Sequence, residues 1–490
     1  MLQNPKFGVV SLGCPKNQTD TEVMLGLLKE AGFDLTFDND EADICLVNTC
    51  SFIEDARRES VRNIVDLASD GKQLIVAGCL AQHFKDELLD ELPEARAVVG
   101  TGDIHKIVDI AKAIVADSSL RIVQVSATPN DHIDDVMPRV STSVGASSYL
   151  KIAEGCDHAC TFCIIPMLRG KFRSRSIDSL VQEAKILVAA GTQEIILVSQ
   201  DSSYYGLDLY GRFALPELLE ALHEIEGLEW IRIMYFYPTE TNRVLLETMA
   251  RLPKVVKYVD IPLQHSHPEV LKAMARPLNP EKCVDLIREI LPEAAIRSTF
   301  IVGFPGETDE HFEHLHEFIK KHKFDRLGVF TYSKQTEVPS GNMKGQIAQK
   351  VKKIRRNKIM ETQHEISYAR NQALVGKELD VLLEGYDEVK ELYYGRSQWD
   401  APQIDNTVYV SPEGIDHDYL GDIVKVKIDE AKPYDLFGTI ASATTCSDNC
   451  ADTKIASQSE SGKQSTVTEQ PPASETKAVK AKKELRAVSI

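Results

Sequence analysis

Short apolar runs alternate with amphipathic helical segments along the first quarter of the chain. Between residues 7 and 115, the runs FGVVSL, ICLVN, QLIVAG and AVVG predict strands, and segments such as 19–32 and 53–69 have the spacing of helices. Alternation of single strands with helices is typical of a parallel sheet. The pattern therefore predicts an N-terminal α/β domain over residues 1–115.

A second alternating series follows a segment rich in Pro, Asn, Asp and Ser. Residues 116–145 predict a linker with one candidate strand at RIVQV. Residues 146–372 then carry strand-like runs with helical segments between them and end in a long, basic, amphipathic helix at 346–372. The strand-like runs are YLKIAE, EIILVS, WIRIMYF, YVDI, IRSTFIVGF and LGVFTYS. This series predicts a complete or partial (β/α) barrel.

The pattern changes again after residue 372. Strand-sized runs between residues 373 and 441 are interrupted by Gly, Pro and Asp, which predicts a small antiparallel β-barrel. Residues 442–490 are rich in Ser, Thr, Lys, Ala and Glu, which predicts a disordered tail. The fold class is thus α/β, with an N-terminal parallel sheet, a central (β/α) barrel and a small C-terminal β-barrel.

Length and charge narrow the class of protein. The 490 residues are 43% hydrophobic, which suits about three domains. The first residues lack the build of a signal peptide and no stretch is apolar enough to cross a bilayer, so we expect a cytoplasmic protein without a membrane partner. For the oligomeric state, a monomer is the default expectation. The formal net charge is −18, and residues 373–440 alone hold 15 acidic and six basic side chains. Such a surface disfavours DNA and attracts a basic protein.

The loop EGCDHACTFC holds three cysteines, Cys156, Cys160 and Cys163, directly after the first strand of the barrel series. Active sites of (β/α) barrels lie at the carboxyl ends of the strands. Iron–sulfur cubanes and structural zinc sites usually take four protein ligands, so three thiolates leave one corner of a cluster free for a substrate. The alternatives are a zinc site completed by a distant ligand such as His158 or Cys283, and cysteines buried for packing.

A second trio is scattered in sequence. Cys14, Cys50 and Cys79 each follow an apolar run: VVSLGC, ICLVNTC and LIVAGC. Because the carboxyl ends of parallel strands share one edge, these thiols are predicted to converge on a second three-ligand site. The alternative is three strand-end cysteines that arose by chance or pack a core. The remaining cysteines are assigned no ligand role: Cys45 and Cys283 as core residues, Cys446 and Cys450 as tail residues.

The three-cysteine loop resembles the radical S-adenosylmethionine superfamily, in which a 4Fe-4S cluster binds S-adenosylmethionine at its open iron. The pairing of two trios resembles the methylthiotransferase family over about residues 7–440, and the terminal barrel resembles a TRAM domain. The matching motifs are GCPKNQTDTE, NTCSFIEDARRES, AGCLAQ, EGCDHACTFCIIPMLRGKFRSR, SQDSSYYG and PLQHSHPEVLKAMAR. This resemblance implies two 4Fe-4S clusters, S-adenosylmethionine as radical source and methyl donor, and an electron donor such as flavodoxin or ferredoxin.

Further site residues follow from the resemblance and from strand ends. In the superfamily, the residues matching Phe162, Val302, Gly303 and Phe304 contact S-adenosylmethionine. Three polar residues are further candidates at the barrel mouth, the alternative being solvated loop positions: Gln200, Asp201 and Gln264.

The family divides between enzymes acting on transfer RNA adenosine derivatives and enzymes acting on an aspartate of the small-subunit ribosomal protein uS12. The motifs SLGCPKN, SFIEDARRES, SQDSSYYG and LQHS resemble the ribosomal-protein branch. The acidic terminal barrel also suits uS12, which is a basic protein. The resemblance therefore implies methylthiolation of an aspartate β-carbon of uS12. A tRNA methylthiotransferase and a two-cluster electron carrier or iron–sulfur scaffold are the alternatives.

Overall fold

The computed structural model describes residues 5–127, 129, 135–143, 145–412 and 419–442. The predicted disordered tail, with Cys446 and Cys450, lies outside these residues apart from its first position. None of the described helices is both long enough and apolar enough to span a bilayer.

The N-terminal domain is a parallel sheet covered by helices. Its strands are β1 (Lys6–Ser11), β2 (Asp34–Leu35), β3 (Ile44–Thr49), β4 (Gln73–Gly78), β5 (Ala95–Val99) and β6 (Ile122–Gln124), and its helices are α1 (Pro15–Glu30), α2 (Glu54–Ser69), α3 (Cys79–Glu91) and α4 (Ile107–Ala116). The strand order is β2-β1-β3-β4-β5-β6, and every pair is parallel. Strand β6 is the candidate strand predicted at RIVQV inside the linker segment 116–145, and it extends this sheet by pairing with β5.

The central domain contains six parallel strands of the barrel type and one short β-ribbon. Its strands are β7 (Ser147–Lys151), β8 (Ala153–Glu154), β9 (Arg173–Ser174), β10 (Glu194–Val198), β11 (Trp230–Ile233), β12 (Tyr258–Asp260), β13 (Ala295–Val302) and β14 (Arg326–Thr331). Its helices are α5 (Ile165–Arg169), α6 (Ile177–Ala189), α7 (Leu207–Tyr210), α8 (Leu215–His223), α9 (Arg243–Arg251), α10 (Pro268–Ala273), α11 (Pro280–Ile290), α12 (Asp309–His322) and α13 (Gln349–Gln372).

The six parallel strands form a partial barrel, so the predicted fold class is confirmed. They lie in two three-stranded sheets, β11-β10-β7 and β12-β13-β14, which a parallel bridge between Ile231 and Val255 connects. Strand β10 reads EIILV and all five of its residues are buried, as expected for a parallel strand covered on both faces. The amphipathic helices pack their apolar sides against these strands to form the largest hydrophobic core of the described residues.

The C-terminal domain is a closed five-stranded barrel. Its strands are β15 (Glu378–Asp387), β16 (Leu392–Ser397), β17 (Thr407–Val410), β18 (Ile423–Ala431) and β19 (Asp435–Ser442). The order is β15-β16-β17-β19-β18, and the predicted antiparallel arrangement holds except for β17 and β19, which pair in parallel.

Buried ion pairs attach this small barrel to the amino ends of the central strands. Arg396 lies 2.6 Å from a carboxylate oxygen of Glu194, the first residue of β10. The Tyr258 hydroxyl, at the start of β12, donates to Asp405 over 2.6 Å. The carboxyl ends of the central strands therefore lie at the opposite end of the domain from the small barrel.

Candidate active site between two cysteine trios

The first cysteine trio lies on the loop after β8, at the carboxyl ends of the central strands. The Cys156 N–H donates to the Gly170 carbonyl and the Cys163 N–H to the Cys160 carbonyl, both over 3.1 Å. Gly155 has a φ of +84°, and a Cβ there would lie 2.0 Å from a backbone oxygen of the next segment, so only glycine fits before Cys156. Burial raises the pKa of Cys156 and Cys163 to about 12. Holding these two groups as thiolates therefore calls for a bound cation.

A stack of side chains borders this loop. The rings of His158 and Tyr237 are parallel with centroids 3.7 Å apart, and the guanidinium carbon of Arg276 lies 4.1 Å from the centroid of the Tyr237 ring. Arg276 also places Nη1 3.8 Å from the Cys160 Sγ. The His158 Nε2 is 2.6 Å from an oxygen of Asp201. His158 is thus engaged by a carboxylate rather than by the thiols.

The spacing of the cysteines is too wide for one zinc ion. Among the described residues, three groups place ligand atoms of three or more His, Cys, Asp or Glu side chains within 4.8 Å of one another, and none of them contains a cysteine. Tetrahedral zinc at 2.3 Å from sulfur would bring its thiolates to about 3.8 Å from each other. Cys283, the other candidate zinc ligand, is buried in the central core with 7% of its surface exposed. Each trio offers three sulfur donors, which is the ligand type that iron–sulfur clusters take.

The structure brings the second trio together at the carboxyl edge of the N-terminal sheet. Cys14 precedes α1, Cys50 follows β3, and Cys79 begins α3 directly after β4. A Cβ on Gly13, whose φ is +93°, would lie 2.9 Å from the Cβ of Cys50. Burial raises the pKa of Cys50 to about 12, and the neighbouring Cys79 and Cys14 thiols add to this rise. Cys45, in contrast, is fully buried inside β3.

Asn17, on the first turn of α1, ties these loops to each other. Its Nδ2 donates to the Leu12 carbonyl over 2.9 Å and to the Thr49 carbonyl over 2.8 Å, which joins the segments that carry Cys14 and Cys50. Sequence reasoning missed this residue. The signal was its position three residues after Cys14, on a helix that begins at the sheet edge.

Arg169 links the second trio to the first. It ends α5, the helix after Cys163, and its Nη2 lies 3.6 Å from the Cys79 Sγ and donates to the Asn17 side chain. Cys79 also belongs to the same apolar cluster as Ile164, the residue next to Cys163. The two trios therefore lie on facing surfaces of the N-terminal and central domains.

A buried charge network holds these two surfaces together. Arg169 Nη1 lies 2.7 Å from Asp20 and 3.0 Å from Glu154, and Lys151 lies 2.7 Å from Asp20 and 3.1 Å from the same Glu154. Burial alone would raise the pKa of Glu154, but the Arg169 and Lys151 cations lower it well below its usual range. The carboxylates are therefore ionised partners of fixed cations, which gives the contact between domains a single geometry.

The residues carried over for S-adenosylmethionine contacts surround the end of β13. Val302 and Phe304 are fully buried, and Phe162 contacts Phe304 edge to face with centroids 6.4 Å apart. The N–H groups of Gly303 and Phe304 donate to Glu307 over 2.7 and 3.2 Å. Because both N–H groups already donate to Glu307, this turn can contact a ligand only through its own carbonyl oxygens and apolar side chains.

The three polar candidates have different surroundings. Gln200 donates to Glu154 over 2.7 Å and so extends the network between the domains. Asp201 accepts from the Tyr204 N–H and faces His158. Gln264 has a φ of +71°, held by hydrogen bonds of its N–H to Thr299 and of its carbonyl to Ile301. A left-handed residue other than glycine at a strand end is typical of a functional site.

Three family models define the class of protein, and one solved structure shares its fold. Residues 6–100 match the uncharacterized protein family UPF0004, residues 150–319 the radical SAM superfamily, and residues 375–441 the TRAM domain. The radical S-adenosylmethionine methyltransferase TsrM from Kitasatospora setae aligns with a TM-score of 0.52 at 14% identity, over 69% of this chain and 77% of that one. That likeness concerns the fold alone. The chain is a radical SAM protein with an N-terminal α/β domain and a TRAM domain.

Relatives in sequence define the family more narrowly. The chain is 48% identical to the ribosomal protein uS12 methylthiotransferase RimO of Acaryochloris marina, over 90% of this chain and all of that protein. It is 47% identical to the protein of the same name from Gloeothece citriformis, again over 90% of this chain and all of the relative. The chain belongs to the ribosomal protein uS12 methylthiotransferase family, as its motifs predicted.

Proposed function

We propose that the protein is a cytoplasmic enzyme that inserts a methylthio group at the β-carbon of an aspartate of ribosomal protein uS12. The observation that carries this proposal is the contact of Cys79 with Arg169 and with the apolar cluster of Ile164. It sets two incomplete thiolate sites against each other, and a substrate held between them reaches both. The family membership favours uS12 over tRNA as the substrate.

The cysteines divide into two ligand sets. Cys156, Cys160 and Cys163 would hold one 4Fe-4S cluster with S-adenosylmethionine, and the set of the N-terminal domain would hold the other: Cys14, Cys50 and Cys79. When bound, these groups supply hydrogen-atom abstraction and a methylthio sulfur, which no side chain provides.

The protein's own residues position the cysteine loops and exclude water from the contact between the domains. Asn17 fixes the loops of the second trio, and Arg169 donates towards Cys79 while it pairs with Asp20 and Glu154. Hydrogen bonds to ligating sulfurs orient them and tune the potential of a cluster. The buried charge network also keeps bulk water out of the contact between the domains.

Two protein partners complete the proposal. An electron donor such as flavodoxin or ferredoxin reduces the enzyme, and uS12 approaches through its basic surface. The acidic C-terminal barrel provides the complementary charge for uS12.

Cysteine variants test the assignment of the two sites. Anaerobically reconstituted wild-type protein is expected to hold about eight irons, and Cys79→Ala about four. Cys79→Ala should still release 5'-deoxyadenosine from S-adenosylmethionine under dithionite but leave a uS12 peptide unmodified, whereas Cys163→Ala should release none. Cys283→Ala is the matched control, because this thiol is buried in the core, and it should keep about eight irons and full turnover.

The substrate is tested by mass spectrometry of a uS12 loop peptide and of bulk tRNA after turnover. The expected product is the peptide with one SCH3 in place of a hydrogen. Modified tRNA together with an unmodified peptide would contradict the proposal.

A further inference from the structure

Lys16 crosses from the N-terminal domain into the mouth of the central barrel. It lies on the first turn of α1, two residues after Cys14, and only 7% of its surface is exposed. Its Nζ donates to the Ser199 carbonyl over 3.1 Å and lies 3.7 Å from the centroid of the Tyr235 ring. Ser199 and Tyr235 follow β10 and β11, so the ammonium sits at the carboxyl ends of the central strands.

Among the described residues this ammonium has no carboxylate partner. Within the part of the chain that the structure describes, no carboxylate oxygen lies within 4.0 Å of the Lys16 Nζ. The two carboxylates that act electrostatically on Lys16 are engaged elsewhere, Glu154 by Lys151 and Arg169 and Asp260 by Arg297. A buried cation without a counter-charge costs stability, and an ammonium has three donors of which a carbonyl uses one. Lys16 therefore retains capacity for an anionic ligand.

Tyr235, whose ring lies against the Lys16 ammonium, has a strained backbone conformation. Tyr235 has a φ of +63°, a region that residues other than glycine seldom adopt. Its N–H donates to Asp260 over 3.1 Å and its carbonyl accepts from the Ser202 N–H over 2.9 Å, and these bonds keep the ring under the ammonium. Strain of this kind persists only where the surrounding structure enforces it, and such residues cluster at active sites and ligand-binding sites.

Two other buried cations near the cysteine trios, Arg169 and Arg276, have different partners from those of Lys16. Arg169 is already paired with two carboxylates, Asp20 and Glu154. Arg276 faces Cys160 of the first trio and donates to the Pro262 carbonyl. Among the described residues, Lys16 alone of these three cations combines the lack of a carboxylate partner with a position beside Cys14 of the second trio.

We propose that Lys16 forms the binding site for the side-chain carboxylate of the substrate aspartate. This inference rests on the proposed function. Methylthio insertion at the β-carbon leaves the γ-carboxylate intact, so an ion pair with that carboxylate anchors the substrate one bond away from the reacting carbon. A charge-assisted bond in this buried position also distinguishes aspartate from asparagine, whose amide is neutral.

The test compares two uS12 loop peptides, one with the target aspartate and one with asparagine in its place. Peptide affinity is measured by fluorescence anisotropy on reconstituted protein without reductant, so the readout does not depend on turnover. Lys16→Met should weaken binding of the aspartate peptide roughly 10- to 100-fold and change binding of the asparagine peptide by no more than about threefold. The preference of wild-type protein for aspartate should therefore disappear.

Three further variants make the test specific. Lys16→Gln still donates to Ser199 and should lose the preference in the same way, whereas Lys16→Arg keeps the charge and should retain part of it. Lys257→Met is the matched control, because this half-buried lysine donates only to backbone carbonyls, at the amino end of β12. Iron content and 5'-deoxyadenosine release without peptide should stay at wild-type values in Lys257→Met, and unchanged binding of the asparagine peptide should show that the site is still folded in the Lys16 variants.

The outcomes separate the inference from the proposed function. If wild-type protein modifies the aspartate peptide but Lys16→Met and Lys16→Gln keep its preference for aspartate, the inference is overturned and the proposed function stands. If wild-type protein neither binds nor modifies the peptide, both fail. Loss of the preference in the Lys16 variants and its retention in Lys257→Met would establish the carboxylate site.

Discussion

At the scale of single residues, buried charges hold the central barrel at both of its ends. Glu194 is fully buried at the amino end, where it lies 2.7 Å from Arg232 and 2.6 Å from Arg396 of the C-terminal barrel. Burial alone would raise the pKa of Glu194, but the guanidinium groups of Arg396 and Arg232 lower it to about 2. This carboxylate is therefore a stabilising contact between two domains.

Glu194→Gln should remove stability that depends on pH. Because the folded-state pKa lies below the unfolded value of about 4.5, the carboxylate stabilises the protein above pH 4.5 and loses this effect as the pH falls towards 2. Breaking the pair should cost about 3 kcal/mol at pH 7, because the buried Arg232 loses its counter-charge while Arg396 keeps only Glu384. Thermal midpoints at pH 7, 5 and 3.5 should show the variant converging with wild type as the pH falls.

A surface variant provides the control for this measurement. Glu220→Gln removes a pair with Arg251 in which both side chains are about half exposed, and it should change stability by less than about 0.5 kcal/mol at each pH. A constant gap between Glu194→Gln and wild type across the pH range would contradict the assignment.

The candidate site was predictable from sequence only where its residues follow apolar runs. Cys14, Cys50 and Cys79 could be grouped because each comes at the end of a strand and parallel strands end at one edge. Lys16 and Arg169 could not, because their partners belong to other domains: Ser199 for the lysine and Cys79 for the arginine. Contacts between domains leave no periodic signal in a sequence.

At the scale of elements, tight turns between strands and helices place the ligands. Gly78 joins β4 to α3 with a φ of +90°, and a Cβ there would lie 2.1 Å from the Asn48 side-chain oxygen and 2.8 Å from the Thr49 carbonyl. Both obstructing residues belong to the end of β3, and Cys50 follows them directly in the chain. The turn thus allows Cys79 to come close to Cys50.

Gly78→Ala should therefore abolish the second site and spare the first. We expect about four irons in place of about eight, release of 5'-deoxyadenosine at the wild-type rate, and no methylthiolated peptide. Gly71→Ala is the matched control: this residue also has a positive φ, of 76°, but nothing lies within 4 Å of its Cβ position. It should cost about 1 kcal/mol of stability and keep all of the iron. Equal iron loss in both variants would contradict the steric explanation.

Most elements were predictable because the apolar period changes sharply between strand and helix. Strand β10 is predicted by a continuous apolar run, which is what burial on both faces requires, whereas β11 and β13 carry polar residues between their apolar ones. Strand β6 gives a weaker sequence signal, because it has only three residues, lies at the sheet edge and is only partly buried. Its three residues extend the N-terminal sheet into a segment whose composition is that of a linker.

At the scale of the whole molecule, the acidic barrel and the cysteine trios lie at opposite ends of the central strands. Exposed acidic residues such as Glu388 and Glu391 lie on the turn between β15 and β16. Charges there can attract a basic protein but are too remote to contact a residue at the barrel mouth.

Reversing these charges should affect docking and leave the chemistry unchanged. Glu388→Lys with Glu391→Lys should weaken binding of full-length uS12 several-fold at low salt, with the difference shrinking as ionic strength rises. Turnover of a short loop peptide should not change. The same reversal at Asp90 and Glu91, which are exposed on the N-terminal domain, is the control for net charge and should have a smaller effect. Equal losses for peptide and full-length uS12 would contradict this division of roles.

The placement of the small barrel has a consequence for target selection. The longest central strand, β13, has eight residues and spans roughly 26 Å, so a ligand touching both ends of the domain must reach at least that far. If uS12 docks on the acidic barrel as proposed, the enzyme would accept only an aspartate at a set distance from a basic anchor and would pass over chemically identical aspartates elsewhere. Lengthening or shortening the segment of uS12 between the basic anchor and the target aspartate would then place the aspartate out of reach of the barrel mouth.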